Sequence, residues 1–252
     1  MTAETAADRT VLRLTGSERG DFLQGLVTND ARPGALVYSA LLSPQGKYLA
    51  DFFLLDRGED ILIDVKDDLA PALAQRLAMY RLRADVQIEE TVLEVTRGRG
   101  DGPEGSHPDP RDAGLGWRAY GIAGERQVTD WDALRVTHVI PEAGVELIPD
   151  DSYILEMGFD RLNGVDHRKG CYVGQEVTAR MKHKTELRKG LAQVEIEGTA
   201  PVGTEILAGE KPAGRLFTQS GGKALAYLRF DRAKGALTAG EAAIRWPEGA
   251  KS

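Results

Sequence analysis

The sequence predicts an α+β protein that ends in a small all-β barrel. Two observations carry this reading. Over the first 140 residues, apolar positions recur in places at intervals of two and in places at three or four, so strands and helices are interleaved. From Arg188 onward no helical pattern survives, and short alternating runs separated by glycine turns take over, as in a small barrel. The chain has 252 residues, 42% apolar and 28% charged, enough for a sizeable core and ordinary for a globular protein.

Residues 11–14 alternate and read as a strand. The turn that follows ends at Ser17, placed to cap a helix with Phe22, Leu23 and Leu26 on one face. That helix stops at the break formed by residues 28–30 and Pro33-Gly34. Residues 38–42 and 48–55 form a hairpin around the tight turn Ser43-Pro-Gln-Gly46, and residues 61–65 make a third strand. Asp68 and Pro71 open a helix over residues 69–82, with Leu69, Leu73 and Leu77 at four-residue spacing. Residues 85–95 are strand-like again. Residues 97–112, rich in glycine and proline with no apolar side chain worth burying, read as a flexible surface loop or a trimmed connection, not a fold element. Thr129 is placed to cap a helix containing Trp131, Leu134 and Val136, ending near Pro141. The C-terminal runs are 191–196, 204–208, 215–219, 224–230 and 242–246. They place a domain boundary at residues 185–189, with an α+β domain over 1–187, weakly linked at 97–112, and a barrel domain over 188–252.

No apolar run approaches the ~20 residues of a membrane helix, and the first nine residues lack the pattern of a secretion signal. A single cysteine excludes an internal disulfide and fits a reducing compartment, the cytoplasm or a mitochondrial matrix. A net charge of −7 argues against wholesale nucleic-acid binding while leaving room for a basic patch.

Chemistry concentrates in residues 169–180, Lys-Gly-Cys-Tyr-Val-Gly-Gln-Glu-Val-Thr-Ala-Arg. Glycines 170 and 174 flank the only cysteine, Cys171, on a backbone suited to facing a ligand. A lone cysteine is most often a small buried hydrophobe. Here His167, Arg168, Lys169 and Arg180 surround it, and nearby positive charge favours the thiolate. A cysteine hydrolase would need a base and an orienting group, and none of the four histidines is marked for that role. One thiolate cannot hold an iron–sulfur cluster alone. CxxC, HExxH and phosphate-loop patterns are absent.

Arg168 to Lys189 carries seven basic residues (Arg168, Lys169, Arg180, Lys182, Lys184, Arg188, Lys189) against Glu176 and Glu186, a local charge of +5 in 22 residues. Such a run is either a solvated face or a patch for carboxylates, phosphates or RNA. Asp51 stands beside Phe52 and Phe53. Strand alternation lets it either point to water while Phe52 turns in, or face inward, where a carboxylate must be paired, hydrated or used. Glu156, in Tyr153-Ile-Leu-Glu-Met-Gly158, poses the same alternative.

The stretch from Lys169 to Glu176, with Thr178 and Arg180, resembles the signature of the YgfZ family. That family is similar to the T-protein of the glycine cleavage system, a tetrahydrofolate-dependent aminomethyltransferase, and includes mitochondrial factors that help assemble four-iron clusters. Phe22 to Asp30, Leu42 to Lys47, Gly214-Arg-Leu216 and Ala224 to Arg229 extend the resemblance over most of the chain, with a weak region at about 97–128. It implies an aminomethyltransferase-like fold around a central folate pocket, followed by a β-barrel. It places Asp51 at the T-protein's catalytic aspartate and Glu156 at the glutamate that holds the pterin, where a carboxylate can accept from two adjacent N–H groups. Arg188 falls near a basic position by the folate. Lys169, Tyr172, Gln175, Glu176 and Arg180 are the motif's candidate cofactor contacts, and Cys171 the candidate reactive thiol. The implied cofactor is tetrahydrofolate or a one-carbon derivative, whose polyglutamate tail would suit the basic run. The implied partners are iron–sulfur assembly or client proteins; no membrane partner is expected, and the net charge disfavours nucleic acid.

The departures are as informative. The T-protein lacks the Lys-Gly-Cys signature, its paired aspartates are replaced by Ala50-Asp51, its lipoyl-carrier dock has no counterpart here, and His167 stands where an aromatic residue is expected. The leading expectation is a folate-binding accessory protein of cluster assembly. A folate-dependent one-carbon transferase using Asp51 as a proton shuttle is second, and an RNA-interacting protein supported only by the basic run is third.

Overall fold

The computed structural model describes residues 3–183 and 187–247. In chain order the first elements are β1 (Ala3–Thr5), β2 (Arg9–Thr15), α1 (Arg19–Gln24), β3 (Leu36–Leu42), β4 (Tyr48–Asp56), β5 (Ile61–Lys66), α2 (Ala70–Arg81), β6 (Gln87–Glu90), β7 (Val95–Gly98), β8 (His107–Pro108) and β9 (Trp117–Tyr120). Then come α3 (Trp131–His138), α4 (Gln175–His183) and six strands, β10 (Lys189–Glu197), β11 (Glu205–Ala208), β12 (Lys211–Ser220), β13 (Lys223–Arg229), β14 (Leu237–Ala239) and β15 (Ala242–Arg245). The chain divides into two compact units, residues 1–129 with 160–177, and residues 130–159 with 178–252. Residues 130–159 therefore group with the barrel.

The first unit contains two antiparallel sheets. One is five-stranded, in the order β3-β4-β5-β2-β6, and the other four-stranded, in the order β1-β7-β9-β8. One face of the five-stranded sheet presents Val37, Leu41, Ala50, Phe52, Leu54, Ile61, Ile63 and Val65 to a core shared with Leu23, Leu73 and Leu77 of the helices. The opposite face carries Tyr38, Asp51, Phe53 and Asp64, and it is buried as well. Burial of both faces explains why β3, β4 and β5 read as nearly continuous apolar runs.

The second face is closed by charge. Asp64, with no exposed surface, accepts from Arg9 Nε at 2.5 Å, from an Arg118 terminal nitrogen at 3.1 Å and from the Tyr120 hydroxyl at 3.1 Å. Arg118 also reaches Asp109, which takes two further side-chain bonds from Arg111 at 3.0 and 2.8 Å. The guanidiniums of Arg118, Arg111 and Arg9 lie 4.0, 4.8 and 5.6 Å from the centre of the Phe53 ring. Cations over an aromatic face attract it, more so when desolvated.

Several sequence expectations are corrected here. Residues 97–112 are not a featureless loop: β7 ends in them, β8 pairs with β9, and Asp109 is buried within the ion-pair layer. Counting apolar residues missed a segment that is held by charge. Residues 85–95 are two strands in different sheets, because the chain leaves the five-stranded sheet after Glu90 and Val92 is fully outside. Ser17 does not cap α1; its N–H and hydroxyl bond Asp85 at 3.0 and 2.7 Å. Asp130, not Thr129, caps α3 by accepting from the Ala133 amide, while the Thr129 hydroxyl donates to Glu4. Asp68 makes no cap bond, although Pro71 does sit in the first turn of α2.

In the second unit β10-β13-β12-β11-β14-β15 close on themselves as a barrel around Val194, Ile206, Leu216, Leu228, Leu237 and Ile244. Five of its strands coincide with the five predicted runs, and β14, three residues long, was too short to read. α3 is tied to this unit through Arg135, which donates to Glu146 at 2.9 Å and to Thr218 at 2.8 Å.

Burial would raise the Asp109 carboxyl, but Arg111 and Arg118 outweigh it and hold the group at about 2. A carboxyl lowered from 3.8 in this way contributes roughly 2–3 kcal/mol, fully present above about pH 4 and lost as pH falls toward 2. Asp109→Asn should therefore lower stability by about 2 kcal/mol at pH 7, with the gap to wild type narrowing between pH 4 and 2; urea midpoints across that range measure it.

Candidate functional site

The loop bearing Cys171 is held down from within the first unit. Lys169 has no exposed side-chain surface. Its ammonium donates to the carbonyls of Gln24 at 3.0 Å and Val27 at 2.5 Å, and lies 3.3 Å from an Asp30 carboxylate oxygen. It also sits 5.2 Å from the centre of the Tyr172 ring, which is itself buried. Desolvation pulls the Lys169 ammonium below its ordinary value, and Asp30 opposes that pull. Lys169 is engaged by carbonyls at the end of α1, and Tyr172 packs against it. Between these two anchors Gly170 and Cys171 are exposed. Cys171 is thus not a buried hydrophobe but the exposed crest of a pinned loop.

The two glycines of the motif differ. Gly174 has φ +82, and a Cβ there would lie 2.6 Å from the Ser43 carbonyl oxygen and 3.1 Å from the Gly46 Cα. Gly46 in turn has φ +74, and a Cβ on it would meet Val177 at 2.7 Å. The Ser43–Gly46 turn and the cysteine loop therefore pack backbone to backbone, joining two of the sequence motifs. A Cβ on Gly170 meets nothing closer than 3.8 Å.

α4 follows directly. Gln175 donates to the Gly170 carbonyl at 3.4 Å. Glu176 lies in the first turn, and Arg180, Lys182 and His183 in the last, the arrangement that complements a helix dipole. Glu176 and Arg180 are exposed, as is Arg188. Part of the basic run is thereby explained as a helix end. Lys184 and Glu186, which entered its count, lie outside the described residues.

Asp51 faces inward and is 5% exposed, so the alternative in which it points to water is excluded. Its oxygens accept from the Tyr48 hydroxyl at 2.6 Å and the Tyr38 hydroxyl at 3.0 Å. Burial, then the Asp51 charge, push Tyr48 well above its ordinary value, so it remains a donor. In a regular strand residues 48 and 51 would point to opposite faces. The register shifts between Leu41 and Leu42, which pair with Ala50 and Tyr48, leaving Leu49 as the extra residue of a bulge. The bulge turns Tyr48 to the Asp51 side. Tyr38 comes from the neighbouring strand, two residues along from Ala40, the partner of Asp51. Sequence reasoning missed both phenols because neither the bulge nor the diagonal pairing leaves a local signal.

Glu156 belongs to the second unit. It is half-buried, and one of its oxygens accepts from the Tyr227 hydroxyl at 2.5 Å, while its backbone carbonyl accepts from Leu191 of β10. Burial, reinforced by that bond, raises Tyr227 far above its ordinary value. Asp51 and Glu156 thus each sit with tyrosine donors, in separate units. Among the described residues, no three histidine, cysteine or acidic side chains gather into a metal site.

Residues 188–250 match the family model described as the CAF17 C-terminal beta-barrel domain. The human mitochondrial iron–sulfur cluster assembly factor IBA57 is 31% identical, over 96% of this chain and 80% of its own length. The chain belongs to the IBA57 family. The mouse IBA57 protein, also mitochondrial, is 30% identical over 91% of this chain and 78% of its own. The crystal structure of the glycine cleavage system aminomethyltransferase T from Bartonella henselae superposes on this IBA57-family chain with a TM-score of 0.65, covering 96% of it and 83% of the other at 14% identity. That likeness shows an aminomethyltransferase-like fold, as the sequence resemblance implied.

The glycine geometry makes a paired prediction. Gly174→Ala should cost about 2 kcal/mol or more, through strained φ and backbone overlap, whereas Gly170→Ala should stay within about 0.5 kcal/mol. Equilibrium urea unfolding of the two variants beside wild type checks both.

Proposed function

We propose that this chain is a tetrahydrofolate-binding accessory protein in iron–sulfur cluster assembly. The observation that carries the cluster-assembly half is an exposed thiol on a loop anchored from both sides, in a chain of the IBA57 family. A thiol placed this way can meet a second molecule without the fold giving way, and a single cysteine needs that second molecule to hold a cluster.

The folate half rests on fit. Glu156 has one oxygen on Tyr227 and is half-buried, so its other oxygen can accept from a ring N–H. Asp51 is a buried carboxylate oriented by two phenols, able to orient or exchange a proton but not to swing. When bound, tetrahydrofolate would supply a one-carbon carrier at its ring nitrogens. Each unit's own part is narrower: in the second, Glu156 would bind and orient a ring N–H while Tyr227 holds Glu156; in the first, Asp51 with Tyr48 would hold a proton at a fixed place. Gln175, Glu176, Arg180 and Arg188 remain the candidate contacts for its carboxylate tail and for a partner protein.

A second reading, a folate-dependent one-carbon transferase, is favoured by one observation, the retention of Asp51 as an inward carboxylate. Loss of aminomethyl-donor turnover in Asp51→Asn would support it.

Two measurements test the leading reading separately. Cys171→Ala should fold normally, by thermal melting, yet fail to support four-iron enzymes in cells lacking the native gene; full support would remove the thiol from the function. Calorimetry with tetrahydrofolate should show binding to wild type and a loss of about tenfold or more in Glu156→Ala, as expected for a lost charged hydrogen bond. Absence of binding to wild type would remove folate.

A further inference from the structure

The first unit holds a recess of about 420 Å³ that the reading above does not use. Its size is that of a small-molecule site. β3, the edge strand of the five-stranded sheet, supplies Val37 to its lining, and the segment leading to the cysteine loop supplies Val165. Arg32 and Arg168 also line it, with side chains 61% and 92% exposed.

These two guanidiniums flank a single carboxylate, that of Asp166. Arg32 lies 3.7 Å from one of its oxygens and Arg168 3.9 Å from the other, both beyond hydrogen-bond length. Two cations thus share one anion loosely, leaving an excess positive charge and two planar donor forks, the geometry that matches a carboxylate. The walls are built rather than accidental. Asn29 donates to the carbonyls of Asn163 at 2.7 Å and Tyr38 at 3.2 Å, and Asn163, held at φ +55, donates to the Pro110 carbonyl at 2.9 Å.

We propose that this recess binds a short dicarboxylate or glutamyl chain. Its aliphatic body lies against Val37 and Val165, and a carboxylate bridges Arg32 and Arg168. A compact phosphate dianion suits it less, because Asp166 lies between the two cations and repels double charge more than single. The site also bears on Cys171. Residues 163–168, which form one wall, run straight into Lys169 and the cysteine, and Lys169 is itself fastened to Gln24, Val27 and Asp30, beside Asn29 and Arg32. An occupant braces both segments that hold the thiol loop, so occupancy is read at the thiol. The proposal stands apart from the folate reading: it uses neither Asp51 nor Glu156.

Calorimetry with glutarate, free triglutamate and inorganic phosphate tests it, on the full chain and on the Arg32→Ala/Arg168→Ala double variant. Glutarate or triglutamate should bind wild type, and the double variant should weaken that binding by about tenfold or more. Tighter binding of triglutamate assigns the site to a glutamyl chain; equal binding assigns it to a free dicarboxylate. Saturation should also slow iodoacetamide alkylation of Cys171 by about twofold or more in wild type and leave the double variant unchanged. Both arginines are exposed, so the variant should keep its thermal midpoint; if it does not, Arg32→Gln and Arg168→Gln are read singly. No binding at millimolar concentration, phosphate binding as tight as glutarate, or equal affinity in the variants overturns the proposal.

Discussion

Asp64 carries a full charge to a place with no exposed surface, and the first unit is arranged around answering it. A buried carboxylate left unpaired would cost several kcal/mol. Arg9 answers from β2 and Arg118 and Tyr120 from β9, so the pairing ties one sheet to the other. The two cations then need their own surroundings, and Phe53 offers its ring to both, as well as to Arg111, which pairs with Asp109. Arg111 lies over Tyr38 as well as Phe53, and the Tyr38 hydroxyl is one of the two donors to Asp51. The orientation of the candidate catalytic carboxylate is therefore set at the far end of a layer whose first requirement is the neutralisation of Asp64.

Legibility followed the physics of each element. The hairpin of β3 and β4 was read to within two residues because a Pro-Gly turn between apolar runs has few other solutions. The barrel strands were visible as alternation, and the thiol loop as a density of chemical groups. What could not be read was held by long-range charge or by backbone irregularity. Asp109 is packed by arginines at 111 and 118 in a segment whose glycines and prolines suggest a loop. The bulge at Leu49 turns a tyrosine to the wrong side of a regular strand. Tyr227 reaches Glu156 across 71 residues of sequence. None of these has a local signature.

The signature motif separates into inward and outward parts once its geometry is known. Lys169, Tyr172 and Gly174 fix the loop, whereas Cys171, Glu176 and Arg180 stand at the surface. Such a division suits a site for meeting another molecule: the half that positions is insulated from water, and the half that faces outward is not. The ammonium of Lys169, drawn below its ordinary value by desolvation, is stable there only because carbonyls and Asp30 surround it.

The contact between Gly46 and Gly174 has a consequence for how this protein can change over time. Each turn leaves room for the other only by having no side chain, and Val177 fills what remains. The two stretches, about 130 positions apart, therefore behave as one heritable feature. A drift in either is unacceptable until its counterpart has already moved, so substitutions at the hairpin tip should be silent or damaging according to what the cysteine loop carries.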